Sequence, residues 1–226
     1  MVTLILHHLP LSVDTPMSTP PRGPAIFVAD APALDFLNSL ATPVDQPVDW
    51  IDDGAGWLEW LKQSGWVEDA ILERLQAQAM PGELETVAAQ ARSLREWFRG
   101  FVLKYKGKPL DASAFKELES LNRLLERDEK FTAITLQGGD KPKLVSQLQR
   151  RWRGPDSLLL PLGEVLAEFV CTEDFSNVKC CEGPSCTLMF VDHTRGRKRR
   201  WCSMAVCGNR AKAAAHRERQ KQVSDV

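Results

Sequence analysis

The chain has 226 residues, 43% of them hydrophobic, with seven tryptophans and a formal net charge of −1. That is enough apolar material for a packed core in one large domain or two small ones. No apolar run reaches the roughly eighteen residues of a membrane helix, and the first residues have too little charge and too short an apolar stretch for an export signal. A cytoplasmic protein without a membrane partner is therefore expected.

In chain order, residues 1–24 hold five prolines and little pattern, which predicts a disordered leader, and Met17 competes with Met1 as the start. Ile26-Phe27-Val28 is strand-like. Residues 33–40 read as a helix with Leu34, Phe36 and Leu37 inward, and a second helix begins around Trp57 and stops near Gly65. Residues 68–80 are helical until Pro81 breaks the run. The clearest helix covers residues 83–105, where Leu84, Val87, Ala91, Leu94, Phe98, Phe101 and Tyr105 form one apolar stripe in steps of three and four.

Asp111 can cap a further helix through Leu118, Leu121 and Leu125, with Leu110 and Phe115 at hydrophobic-staple positions. Residues 131–136 and 143–148 flank Gly138-Gly139-Asp140 and predict a β-hairpin, and residues 158–171 predict a helix leading to the last segment. The expected fold class is mainly α with a small β-hairpin (α+β). Its domains are a leader (1–24), a helical domain (25–172), a cysteine-rich module (173–222) and a short tail (223–226).

The near-neutral total conceals a division. Residues 179–226 carry eleven Lys and Arg against four Asp and Glu, and the remainder carries eighteen against twenty-six. Such asymmetry points to a phosphate-facing module joined to something else, so any nucleic-acid contact belongs to the C-terminal segment.

That segment holds two C-x4-C pairs, Cys181 with Cys186 and Cys202 with Cys207, separated by fifteen residues. Four thiolates can close a tetrahedral shell around one structural zinc ion at ~2.3 Å per bond, leaving no position for water or substrate. Disulfides are the poorer reading, because a chain of this size needs no staples and cytoplasmic thiols stay reduced. Cys171 ends an apolar helical run and reads as core. Ser203 would cap a helix bearing Cys207 in its first turn, and residues 187–191 with 199–201 would form a hairpin. Knuckle, hairpin and helix together suggest a treble-clef-like finger, with a zinc ribbon as the alternative.

Arg195, Arg197, Lys198, Arg199 and Arg200 crowd the loop between the pairs, and Arg210, Lys212, Arg217 and Arg219 line the terminal helix. These are the expected nucleic-acid contacts, against the plainer reading of a solvated charged face. No histidine falls at ligand spacing with carboxylates and no nucleophile or phosphate-loop motif occurs, so an enzyme is not expected. Asp35 and Asn38, one helical turn apart, could form a ligand pocket with Arg95, which could pair with Asp35.

Several of these runs resemble a known family. Phe190-Val191-Asp192-His193-Thr194-Arg195, Arg199-Arg200-Trp201-Cys202-Ser203-Met204 and Cys207-Gly208-Asn209-Arg210, with the two cysteine pairs, resemble the CGNR zinc finger. Leu34-Asp35-Phe36-Leu37-Asn38-Ser39 is similar to the opening of the helical ABATE domain that precedes such fingers, with Ser39 in place of Thr. The resemblance implies a bacterial, stress-responsive transcription regulator that binds DNA through a zinc finger. A homodimer and a small-molecule effector remain open as roles of the helical domain. The alternative is an adaptor whose finger binds RNA or protein.

Overall fold

The computed structural model describes residues 22–139 and 141–224. The expected leader up to residue 21, the turn residue Asp140 and the last two tail residues lie outside the described residues. Residues 22–24 are not leader. Arg22 pairs with Asp52 and, at 2.5 Å, with Asp53, and the Trp50 indole Nε1 donates to the Gly23 carbonyl at 2.9 Å.

Helix α1 (Pro32–Leu37) is followed by a two-residue ladder of β1 (Leu40–Ala41) and β2 (Val48–Asp49). The first helix is shorter than the expected 33–40 because Leu40 turns away to pair with Asp49. The expected strand at residues 26–28 does not form. The Val28 and Ala29 amides are taken by the Asp35 carboxylate at 2.9 and 3.0 Å instead of by a neighbouring strand.

Helix α2 (Gly54–Ser64) starts where the Asp53 carboxylate accepts from the Gly56 amide at 2.6 Å. It ends at Gly65, whose φ of 70° lies in the left-handed region that glycine adopts without a Cβ penalty. Trp57 and Trp60 are buried and stack at 6.0 Å. Helix α3 (Asp69–Gln78) follows, then the 23-residue α4 (Glu83–Tyr105) with the bounds its periodicity predicts. A Cβ on Gly54 would sit 2.9 Å from the Leu84 backbone, so glycine is what lets α2 and α4 meet closely.

The buried face of α4 is Val87, Ala88, Ala91, Arg95, Phe98, Phe101, Val102 and Tyr105. Arg95 holds the middle of the stripe, while Leu94 and Leu84 are only half-buried. A 3₁₀ turn over Ala112–Glu117, capped by Asp111, replaces the first part of the expected helix before α5 (Glu119–Leu125). The staple is not made, since Phe115 is 68% exposed.

The hairpin forms as expected, with β3 (Lys130–Gln137) antiparallel to β4 (Lys143–Arg150). Its foot is fixed by Arg150, which donates to Asp128 at 2.6 and 2.8 Å and to Glu164 at 2.7 Å. Glu164 belongs to α6 (Leu160–Thr172), whose Phe169 joins Phe98, Phe101 and Phe175 in edge-on aromatic contacts at 5.2–6.0 Å. Such contacts add to area burial in holding a core together.

The last strands are β5 (Val178–Cys180) and β6 (Met189–Val191), antiparallel to each other. A π-helical turn over Met204–Gly208 leads into α7 (Asn209–Ser224). The protein is thus α+β, mainly helical with three small antiparallel pairs among the described residues. One buried cluster runs from Ala29 through the helices to Phe190 and the four cysteines without interruption. Among the described residues, no helix is long and apolar enough to cross a membrane.

Candidate metal centre

Cys181 follows β5 and Cys186 precedes β6, so the hairpin carries the first knuckle at its turn. This corrects the expected pairing of 187–191 with 199–201. Residues 199–201 run beside the knuckle instead, where the Glu182 amide donates to the Arg200 carbonyl at 2.9 Å. A Cβ on Gly183 would lie 3.0 Å from Cys186 Cβ and 3.1 Å from Cys207 Sγ, so a side chain there would crowd the knuckle. Ser203 makes no side-chain cap bond; its carbonyl accepts from the Gly208 amide at 3.0 Å, which draws Cys207 inward within the π turn.

The four Sγ atoms of Cys181, Cys186, Cys202 and Cys207 are buried and lie within 4.8 Å of one another. The Cys186–Cys202 and Cys202–Cys207 separations are 3.8 and 3.6 Å. Bonds of ~2.3 Å at tetrahedral angles require sulfurs about 3.8 Å apart, so the donor set fits zinc in size and in softness. A bound zinc would supply a cross-link between knuckle, loop and helix.

Hydrogen-bond donors stand beside two of the sulfurs. Cys181 Sγ accepts from the Gly183 and Cys202 amides at 3.4 and 3.3 Å, and Arg210 Nη2 lies 3.2 Å from Cys207 Sγ. A hydrogen bond from Cys202 brings the Cys186 thiol down to about 5, and the same bond pushes Cys202 up. Burial pushes Cys181 up as well. Thiol hydrogen bonds hold the group together here, and a cation bound among them would deprotonate the sulfurs and take the place of those bonds. Cys171 and Cys180 are exposed and stand outside the group, so the expected core position of Cys171 is not found.

Beside the metal centre stands a residue that the cysteine spacing did not single out. Asp192 is fully buried, and its carboxylate accepts from Lys179 Nζ (2.6 Å), Thr194 Oγ1 (2.6 Å) and the Arg199 amide (2.9 Å). Burial opposes its charge, but these donors outweigh burial and hold the carboxyl well below the usual range. The signal in the sequence was a lone acid directly after the apolar run Phe190-Val191.

The expected nucleic-acid residues divide into two groups. Arg199 is a tie within the protein: it donates to the carbonyls of Val28 (2.8 Å), Trp201 (3.0 Å) and Cys202 (2.6 Å), pairs with Asp30, and lies 4.2 Å over the Phe190 ring. Arg210 joins Cys207 to the Pro43 carbonyl at 2.8 Å. Arg197 donates to the Asp192 carbonyl, and Arg200 binds Glu182 at 2.6 Å while covering Trp201. Arg195, Lys198, Lys212, Arg217 and Arg219 are exposed and make no ion pair among the described residues. Every described side chain from Lys212 to Gln220 is exposed, so α7 projects from the body.

The three side chains expected to build a pocket are instead bound to the protein itself. Arg95, 2% exposed, forms a fork on Asp49 at 2.8 Å for both bonds and donates to Ser39 Oγ at 2.9 Å, so its partner is Asp49 and not Asp35. Asn38 donates to the Met189 carbonyl at 2.8 Å and accepts from the Met189 amide at 2.9 Å. It acts as a strand neighbour for β6 and joins α1 to the finger.

Burial pushes the Asp35 carboxyl up to about 6 against the two amide bonds it accepts. An acid whose folded value is raised destabilises progressively as pH rises from about 4, its unfolded value, through the folded one. Asp35→Asn, whose carbonyl can still accept from both amides, should therefore lose less stability than the parent between pH 5 and pH 7 in urea melts.

With this geometry in view, the comparisons are direct. A family model described as "putative stress-induced transcription regulator", ABATE, matches residues 30–173. It covers more than half of the chain. The chain belongs to the ABATE family. A CGNR zinc finger model matches residues 177–220, which contain all four clustered cysteines. No curated protein sequence matches the chain. In this ABATE protein the opening motif is a set of ties: Asp35 to the preceding loop, Asn38 to the finger strand and Ser39 to Arg95.

Proposed function

We propose that this ABATE protein is a cytoplasmic transcription regulator whose zinc finger binds duplex DNA. One structural zinc, held by Cys181, Cys186, Cys202 and Cys207, would fix the basic loop and the start of α7. A shell of four protein ligands leaves no open position for catalysis, which favours a binding module over an enzyme. The carrying observation is the set of five exposed cations, unpaired among the described residues, at Arg195, Lys198, Lys212, Arg217 and Arg219 on an otherwise acidic chain. Cations of this kind neutralise phosphates and release counterions, whereas Arg199 and Arg210 have protein partners.

The test is a variant. Lys212→Ala/Arg217→Ala/Arg219→Ala should keep its zinc and its melting temperature yet bind every duplex more weakly, by about tenfold or more at moderate salt. Equal binding by variant and parent would remove α7 from the contact surface.

One observation favours a second reading, a finger that binds RNA. A cavity of about 640 Å³ beside the loop is lined by Lys198, Trp201 and Met204, and Met204 is 52% exposed. An aromatic and apolar floor next to a lysine suits an unstacked base. Tighter binding to single-stranded RNA than to duplex DNA of equal length would support it.

A further inference from the structure

Away from the finger, the foot of the β3–β4 hairpin and the first half of α3 border an open cavity of about 670 Å³. That is within the range that small ligands fill. Its lining joins the rings of Trp66, Phe131 and Trp152 to the guanidinium groups of Arg74, Arg150 and Arg151.

The arginines are not equivalent. Arg150 is committed to Asp128 and Glu164 and lies 5.4 Å over the Trp152 ring. Arg151 is 3.6 Å from Glu129, a carboxylate that already holds Arg153 at 2.7 Å, and it lies 4.8 Å over Phe131. Arg74 is exposed and makes no ion pair among the described residues. Two guanidinium groups with unused donors therefore face a space bordered by three aromatic rings. A planar fork of donors matches a carboxylate or phosphate, and the rings offer stacking surface to a flat body. Glu68, in the same wall, can accept from a ligand N–H and disfavours a densely charged anion.

We propose that this cavity is an effector site for a small aromatic molecule carrying one carboxylate or phosphate. The anionic group is held by Arg74 and Arg151, and the ring rests on the aromatic lining. The site is separate from the Asp35, Asn38 and Arg95 ties and independent of whether the finger binds nucleic acid.

The experiment uses the full zinc-loaded chain labelled with ¹⁵N and follows the indole N–H signals, with Trp66→Phe and Trp152→Phe assigning two of them. Adenosine monophosphate and indole-3-acetate are titrated separately to about 10 mM, enough to saturate a site with a Kd of ~1 mM. The expected result is a saturable shift of the Trp66 and Trp152 signals with one probe or both, weakened at least tenfold by Arg74→Glu/Arg151→Glu and measurably by Arg74→Glu alone. A response to only one probe tells phosphate from carboxylate. No saturable shift at these two indoles with either probe, or equal affinity in the folded charge-reversed variants, overturns the proposal.

Discussion

Replacing Cys202 by Ser should abolish zinc retention and destabilise the whole chain, not the finger alone. Cys202 Sγ is 3.8 Å from Cys186 and 3.6 Å from Cys207, so its loss removes one corner of the shell. Structural zinc is worth on the order of 10 kcal/mol or more to the fold that holds it. The helical domain does not stand apart from the finger in this packing. Val191 donates to the Ala29 carbonyl at 2.8 Å, Thr42 to Thr187 Oγ1 at 2.7 Å, and Asn38 pairs with Met189 at both backbone groups. The buried cluster also runs from the helices into Leu188, Phe190 and Val191. Metal analysis should find no zinc in the variant, and calorimetry should show one transition at a much lower temperature. Retained zinc, or a separate helical transition at the parental temperature, would contradict this.

Arg95→Met should cost about 3–5 kcal/mol, the usual penalty for leaving one member of a buried ion pair alone. Asp49 is tied to Arg95 by both oxygens at 2.8 Å, and its side chain is only 21% exposed. Burial alone would raise the Asp49 carboxyl, but the Arg95 guanidinium outweighs it and lowers the value. Without that partner the buried charge loses its compensation, and Ser39 Oγ loses its donor. Adding Asp49→Leu to Arg95→Met should recover much of the loss, because two apolar groups leave no orphaned charge. Urea melts of the two variants and the parent decide the matter. A loss below 1 kcal/mol in Arg95→Met would mean that water reaches Asp49 freely.

Much of this fold was legible because local pattern and tertiary role agreed. The α4 bounds follow from a 23-residue periodicity, the α2 stop from Gly65, and the β3–β4 hairpin from two strand-like runs around paired glycines. The grouping of Cys181, Cys186, Cys202 and Cys207 was readable from their spacing, and their four sulfurs do lie together. What was hidden depended on partners distant in sequence. Hydropathy assigns Leu94 inward, yet Arg95 takes the buried place beside it, held by Asp49, 46 residues away, and by Ser39. Met189–Val191 is a short strand whose partner had to be chosen between two flanking segments, and Val178–Cys180 has too little alternation to advertise itself. Charge alone likewise could not tell Arg199 and Arg210, which bind carbonyls and sulfur, from Arg195 and Lys198, which face solvent.

The most direct test of the proposed nucleic-acid role is the salt dependence of binding by the zinc-loaded chain to a random duplex, followed by fluorescence anisotropy. Five exposed cations, unpaired among the described residues, imply a fall of log K with log salt at a slope of roughly −4 to −5. The slope should shrink to about −2 when Lys212, Arg217 and Arg219 are replaced by Ala. A slope near zero, or no binding to duplex DNA at low salt, would contradict the proposal and leave these cations as a solvated face.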